Sequence, residues 1–426
     1  MNVMKFGIAV ALSIFIIMDV IAQENEFLPD VNGFIETRWG VRTQNDPNQK
    51  NQSIGEVRFQ LEAEKEFSQL TLNFVTDFIY DPVLDIVEPD LETGEGVVDL
   101  RQANIVFSPL DNMDVKLGRQ MLTWGVSDLL FINDLFAKDW NSFLIGRDDE
   151  YLKAPTDAFK FSLFFDAINI DLVYIPRFSA DRFIDGKRIS FFDRSSNSFR
   201  GRENPLTVNQ PDELFEDDEL SVRFYRSFDI YEAALYYYNG YWKSPAGQGM
   251  VTGNAMFPVL QVFGASLRGP ILKGIAHIEV GYYKSNDKAA TNPLSRNSEF
   301  RFLVGYEQEV ATEFTAAIQY YLEQKLDFGA YTNSLPKSAL RDDRYRQVVT
   351  VRLTRLLAQQ KLKLSFFKFY SPSDNDGYAR LQASYKLLDS LKIEGGLNQF
   401  YGDQSHTFYA QFEKNSNTYI AVRYDF

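Results

Sequence analysis

Apolar and polar residues alternate along most of this chain with a period of two. In residues 56–63, Val57, Phe59, Leu61 and Ala63 interleave with Glu56, Arg58, Gln60 and Glu62. Residues 300–307 set Phe300, Phe302, Val304 and Tyr306 against Arg301 and Glu307, and residues 314–323 set Phe314, Ala316, Ile318, Tyr320 and Leu322 against Thr315, Gln319 and Glu323. In residues 378–387, Ala379, Leu381, Ala383, Tyr385 and Leu387 oppose Tyr378, Arg380, Gln382, Ser384 and Lys386. At the end of the chain Ile420, Val422, Tyr424 and Phe426 share one face, while Tyr419, Ala421, Arg423 and Asp425 share the other. Side chains along a strand point to opposite faces in turn, so each segment predicts a strand with one greasy and one wet side. Strands this polar on one side do not fit a parallel sheet, which is covered on both faces.

The breaks between these segments alternate in length. Tight turns are expected at 67–68, 109–112, 166–167, 229, 269–270, 310–311, 358–359 and 389–390. Longer polar stretches fall at 44–53, 81–97, 124–156, 179–218, 243–256, 285–297, 326–344 and 371–376. Residues 402–417 read as a last long loop, because an extra strand there would put the two chain ends on opposite sides. The pattern predicts an all-β fold, a transmembrane antiparallel β-barrel of about 18 strands (roughly 16–20), with short periplasmic turns and long external loops.

Residues 1–22 read as a signal peptide: Lys5 supplies the positive start, Phe6 to Ile17 the apolar stretch, and Ala22 a small residue before cleavage at Gln23. Residues 23–426 are then the barrel. No later apolar run approaches the roughly 20 residues a membrane helix needs, which leaves closed strands as the way to satisfy the backbone in lipid.

Composition narrows the chemistry. The chain holds 37 Phe, 23 Tyr and 4 Trp, which makes the apolar faces of its strands more aromatic than those of a soluble β-sandwich usually are. A net charge of −14 argues against a nucleic-acid partner. Cysteine is absent, which removes thiol chemistry and Cys-based metal sites. The two histidines, His277 and His406, supply neither a metal site nor a catalytic triad at useful spacing. No enzyme activity, cofactor or metal is expected.

One segment carries a resemblance. Gly118-Arg119-Gln120, then Trp124-Gly125, Asp128, Asp134 and Asp139, is similar to a proteobacterial family of outer-membrane barrels of unknown function with a Gly-Arg-Gln…Trp-Gly pattern. Tyr174-Ile175-Pro176-Arg177-Phe178 resembles the same family's Ile-Pro stretch. More loosely, the Gly-Arg-Gln strand resembles alginate-export-type and porin barrels. Ala137-Lys138-Asp139 departs from the family's Asn-Pro-x-Asp. The resemblance implies a transport or export channel in the cell outer membrane, without a defined substrate.

Strict alternation puts Arg119 on the face of Val115 and Leu117, and Arg101 on that of Ala103, Ile105 and Phe107. Arginine facing lipid costs about 2–4 kcal/mol at the bilayer midplane and about 0–1 near an interface. Two readings stay open. A bulge at Gly118 turns Arg119 into the lumen, or Arg101 and Arg119 both sit at the outer interface against lipid phosphates. The stretch 124–156 is too apolar to lie free in water and either constricts the pore or caps it.

The candidate pore-lining residues are Arg119, Gln120, Trp124, Arg38, Arg58, Arg352, Arg380 and Arg423, with Arg42, Arg346, Lys363, Lys386 and Lys392 extending a basic wall. Phe426 and Tyr424 are the candidate assembly signal. A porin-like channel for small solutes, anionic if the basic wall is free, is the expected function. The alternatives are the outer-membrane pore of a polysaccharide or hydrophobic-compound export system, and a structural or adhesive barrel. Expected partners are outer-membrane lipids including lipopolysaccharide, the barrel-assembly machinery and the transported solute.

Overall fold

The computed structural model describes residues 29–250 and 252–426, so the expected signal peptide 1–22 lies outside them. Among these residues eighteen strands form one closed antiparallel wall: β1 (Asp30–Arg42), β2 (Gln52–Glu66), β3 (Leu70–Tyr80), β4 (Val98–Leu110), β5 (Met113–Met121), β6 (Pro155–Phe164), β7 (Asn169–Ile175), β8 (Glu219–Phe228), β9 (Tyr231–Tyr241), β10 (Val259–Ile271), β11 (Gly274–Ser285), β12 (Glu299–Ala311), β13 (Phe314–Lys325), β14 (Tyr345–Leu357), β15 (Leu362–Ser371), β16 (Asp376–Leu388), β17 (Leu391–Gly402) and β18 (Asn417–Asp425). Each pairs with its neighbour in sequence, and β18 closes on β1 through Ile35↔Tyr424, Thr37↔Val422 and Arg38↔Ala421. Closure leaves no unpaired edge.

Alternation decides which side chain goes where. On β1, Glu36, Arg38 and Arg42 point inward and are buried, while Trp39 points outward and is exposed. Ile420, Val422 and Tyr424 on β18, and Phe300, Val304 and Ile318 on β12 and β13, are likewise exposed on the outer face. Phe426 extends the closing seam. Its backbone N–H and C=O pair with Gly33, and its ring stacks on Phe59 at 5.9 Å.

The short turns and both described chain ends lie at one end of the barrel, and the long loops at the other. Two turns fall later than expected. Pro270 lacks an N–H and so suggested a turn, but it stays in the β10–β11 ladder opposite Ile275, and Leu272 and Lys273 make the turn. A register shift between Glu309 and Ala311 likewise moves the next turn to residues 312–313. On the long-loop side, β15 and β16 pair as far as Ser371↔Asp376, which leaves only 372–375 between them. Residues 403–416 form a loop with a short 3-10 turn at Ala410–Asn415 and no extra strand.

Candidate functional site

The site is built by the chain between β5 and β6, residues 122–154, which turns into the barrel and crosses its interior. Its root explains the Gly-Arg-Gln…Trp-Gly pattern. Gly118 has a φ of +111°, and a Cβ there would lie 2.4 Å from the carbonyl oxygen of Ala103, so glycine keeps β5 against β4. Gln120 points inward with no exposed surface and donates to the carbonyls of Gly118 and Ala158 at 3.2 and 2.9 Å. Trp124 packs edge-on against Phe136 at 5.0 Å and reaches Tyr236 at 6.1 Å. Gly125, at φ +85°, then swings the loop against a buried carboxylate on the far wall, Glu279 of β11.

Glu279 accepts five hydrogen bonds from the loop, from the N–H groups of Val126, Ser127 and Asn133, the Ser127 hydroxyl and the Asn133 amide, at 2.6–3.1 Å. Buried backbone donors need acceptors, and here one side chain takes those of two loop turns. Ile132 belongs to the buried apolar cluster that also holds Val262, Leu260 and Tyr283, its carbonyl accepts from the Tyr283 hydroxyl at 2.5 Å, and Leu129 and Leu130 pack against that cluster. Helix α1 (Trp140–Ile145) follows, with Asp139 capping the Ser142 N–H at 2.7 Å. Phe143 packs edge-on against Phe369 and Tyr378 on the opposite wall.

Beyond α1 the loop presents Arg147-Asp148-Asp149-Glu150 to the charged wall. Asp149 meets Arg380 at 2.9 Å, Glu150 meets Arg423 at 3.2 Å, Asp148 meets Lys392 at 3.4 Å, and Arg147 meets Glu56 at 3.0 Å. Nearer the root Asp128 meets Arg352 at 2.6 Å, and Arg352 also holds Glu307 at 2.9 Å. Tyr151 lies between two guanidinium groups, Arg58 at 4.2 Å and Arg101 at 4.4 Å from its ring centre. Although its side chain is half open to water, partial loss of solvent and the neighbouring Asp148 raise the carboxyl of Glu150 above its usual range, against the pull of Arg423. Burial likewise raises Asp128, with Arg352 offsetting only part of it. Asp148 is half-buried, but Lys392, Arg38 and Arg423 together hold it below the usual range.

The predicted pore residues therefore separate. Arg352, Arg380 and Arg423 stand at the constriction with loop carboxylates against them. Arg38 is fully buried beneath the loop, binding Glu36 at 2.8 Å, Glu394 at 3.0 Å and the Gly146 carbonyl at 2.6 Å. Arg58 is buried as well, held by Glu56 at 2.7 Å and by Asp77. Gln120 and Trp124 form the loop's root. Arg42 clamps the carbonyls of Gln52, at the start of β2, and of Arg188, in a loop of the long-loop end. Arg346 stands 3.4 Å from Asp374. The basic wall is thus largely matched by acids.

Arg119 is not in the lumen. The β5–β6 ladder runs unbroken from Met113↔Leu163 to Met121↔Pro155, and Arg119 pairs with Ala103 and Asp157 on the outer face. There it makes a two-pronged ion pair with Asp157 at 2.8 Å and donates to the Leu91 carbonyl at 2.8 Å. The bulge sits instead in β4. The register shifts between Val75 and Thr76, opposite Gln102 and Leu100, so Arg101 is the extra residue and turns inward to Tyr151. The expectation that both arginines share the outer face fails for Arg101.

Glu279, Tyr151 and the loop's charged tip were not singled out in the sequence. The run Arg147–Glu150 directly after an apolar stretch was the available signal. Nothing in the sequence marks Glu279, an inward position among many. Of the histidines, His277 lies in the inner wall with Gln319 at 3.1 Å, and His406 lies in the last loop beside the Phe192 ring.

No family model and no curated protein matches the chain. Solved structures do resemble it in fold. OccAB1 of Acinetobacter baumannii is 11% identical, with 95% of this chain and 97% of that one aligned at a TM-score of 0.56. A BenF-like porin from Pseudomonas fluorescens Pf-5 is 11% identical over 93% and 98% of the two chains at 0.56. OccD3 (OpdP) of Pseudomonas aeruginosa is 10% identical over 93% and 91% at 0.51. At such identities the likeness is one of fold.

Proposed function

We propose that this chain is an integral channel of the Gram-negative outer membrane, passing small polar solutes through a lumen narrowed by loop 122–154. One observation carries the reading. The loop is folded into a closed eighteen-strand barrel and sets Asp128, Asp149 and Glu150 across from Arg352, Arg380 and Arg423. A barrel of this width otherwise leaves an aqueous passage, and the loop, pinned to the wall by these ion pairs, narrows it and edges it with charged groups that sort solutes by size and charge. The apolar outer face supports a membrane setting, with short turns in the periplasm, long loops outside, and lipopolysaccharide among the contacting lipids. Because the basic wall is met by acids, selectivity between simple cations and anions is weak, and charged or zwitterionic solutes small enough to thread the ion pairs are favoured. The Gly118-Arg119-Gln120…Trp124-Gly125 pattern serves to insert the loop rather than to bind solute. Purified, folded protein in planar bilayers tests this. Stepwise ion conductance is expected, and folded barrels that never conduct would overturn it.

A further inference from the structure

Below the constriction the inner wall carries a pair of charges that the loop does not neutralise. One row of paired residues across the wall runs Thr71, Val106, Lys116, Lys160, Val173, Ser221. Lys116 and Lys160 therefore face each other directly across β5 and β6, flanked on each side by a valine. Like charges directly opposite in an antiparallel pair are destabilising, because the side chains start from Cβ atoms about 5 Å apart. Among the described residues neither ammonium has a carboxylate within ion-pair distance, and the acids one step along are already engaged. Asp171 accepts from Ser162 at 2.7 Å and stands 3.9 Å from Arg223, and Asp114 accepts from Ser108 at 2.6 Å. Both lysines are half-buried, unlike Lys363 and Lys386, which are exposed. They lie five residues along their strands from the loop's roots at Met121 and Pro155, roughly 16 Å at strand rise.

We propose that Lys116 and Lys160 form a subsite for a small dianion, a phosphate or a dicarboxylate, one anionic oxygen resting on each ammonium as the solute leaves the constriction. The valines offer no competing polar partner, so the anion itself relieves the repulsion between the two lysines. This rests on the channel reading for its role in transport, but not for the binding itself. Inorganic phosphate is the probe, and two measurements separate the claims. The first is line broadening of the phosphorus resonance by folded protein in detergent, which requires no conduction. The second is the phosphate concentration that half-blocks chloride current in bilayers. Lys116→Gln with Lys160→Gln should abolish most of the broadening and raise the half-blocking concentration about tenfold or more, since bonds to charged groups are the strong kind. Lys368→Gln, on the outer wall against the Tyr370 and Tyr401 rings, should change neither. Lysine-dependent broadening by a barrel that never conducts would sink the channel reading and keep the site. Broadening and block that are equal in the wild type and the double variant would overturn the site and leave the channel.

Discussion

Glu279 is one carboxylate on which much of the inserted loop depends. Glu279→Ala would leave the N–H groups of Val126, Ser127 and Asn133 without their acceptor, at about 1–3 kcal/mol for each buried donor left unsatisfied. The wall's ladders do not depend on it, so folded yield should hold while the loop loosens. Faster proteolysis within 122–154 and noisier open-channel current are expected, and a cleavage pattern identical to the wild type would contradict the assignment. Arg119 teaches the opposite lesson. It belongs to the outer wall with Asp157, and exposure of that carboxylate limits the pair to about 1 kcal/mol or less. Arg119→Leu should leave single-channel behaviour unchanged and cost little stability, and adding Asp157→Leu should recover that cost by removing the orphaned charge. A changed conductance in Arg119→Leu would return this residue to the lumen. Strict alternation puts Arg119 on the face of Val115 and Leu117, where it lies, and its place among the pore-lining candidates rested on a bulge at Gly118 that β5 does not make. The same rule misplaced Arg101, because a bulge inserts one residue without leaving any mark in the alternation of Leu100, Arg101 and Gln102.

At the scale of the element, the apolar content of the chain between β5 and β6 signalled that it could not lie in water, and it lies inside the barrel. Which wall it meets was not legible, because that depends on contacts with strands some 130–300 residues further along the chain, such as Glu279, Arg380 and Arg423. The charged tip gives the element a response to pH. Loss of solvent raises Glu150 and Asp128, so as pH falls both become neutral before an ordinary surface carboxylate would, whereas Asp148 stays ionised beside Lys392. Acidification should therefore leave Arg423 paired with Asp425 alone and Arg352 with Glu307 alone, making the constriction more positive and shifting the reversal potential toward anion preference. Asp128→Asn with Glu150→Gln should produce that shift at neutral pH and flatten the pH response, and a shift toward cations on acidification would contradict the ion-pair assignment. The closing strand offers a separate test. Phe426 ties the seam through Gly33 and Phe59, so its deletion should lower the heat-modifiable, folded fraction well below that of a deletion of Asp403 in an outer loop. Equal folded fractions would remove Phe426 as an assembly signal.

For the whole molecule, alternation and turn spacing predict the wall well, because an antiparallel barrel is built from local hairpins whose register their own residues set. Charge balance was harder to read. The basic positions on the inner face were visible, as were wall acids such as Glu36, Glu56 and Glu394 that partly offset them, but the carboxylates Asp128, Asp148, Asp149 and Glu150 reach Arg352, Lys392, Arg380 and Arg423 only because the loop folds back across the lumen, so what looked like a basic surface is largely a set of ion pairs. The central claim is that the passage is limited by loop 122–154 rather than by the wall. Met121 and Pro155 pair directly, so residues 126–151 can be removed and the stubs rejoined by a short glycine-serine link without disturbing the ladder. Single-channel conductance of this deletion beside the full chain, in the same bilayers and salt, is the most direct test. Small steps for the full chain and steps several-fold larger for the deletion are expected. Equal conductance from two folded barrels would contradict the account.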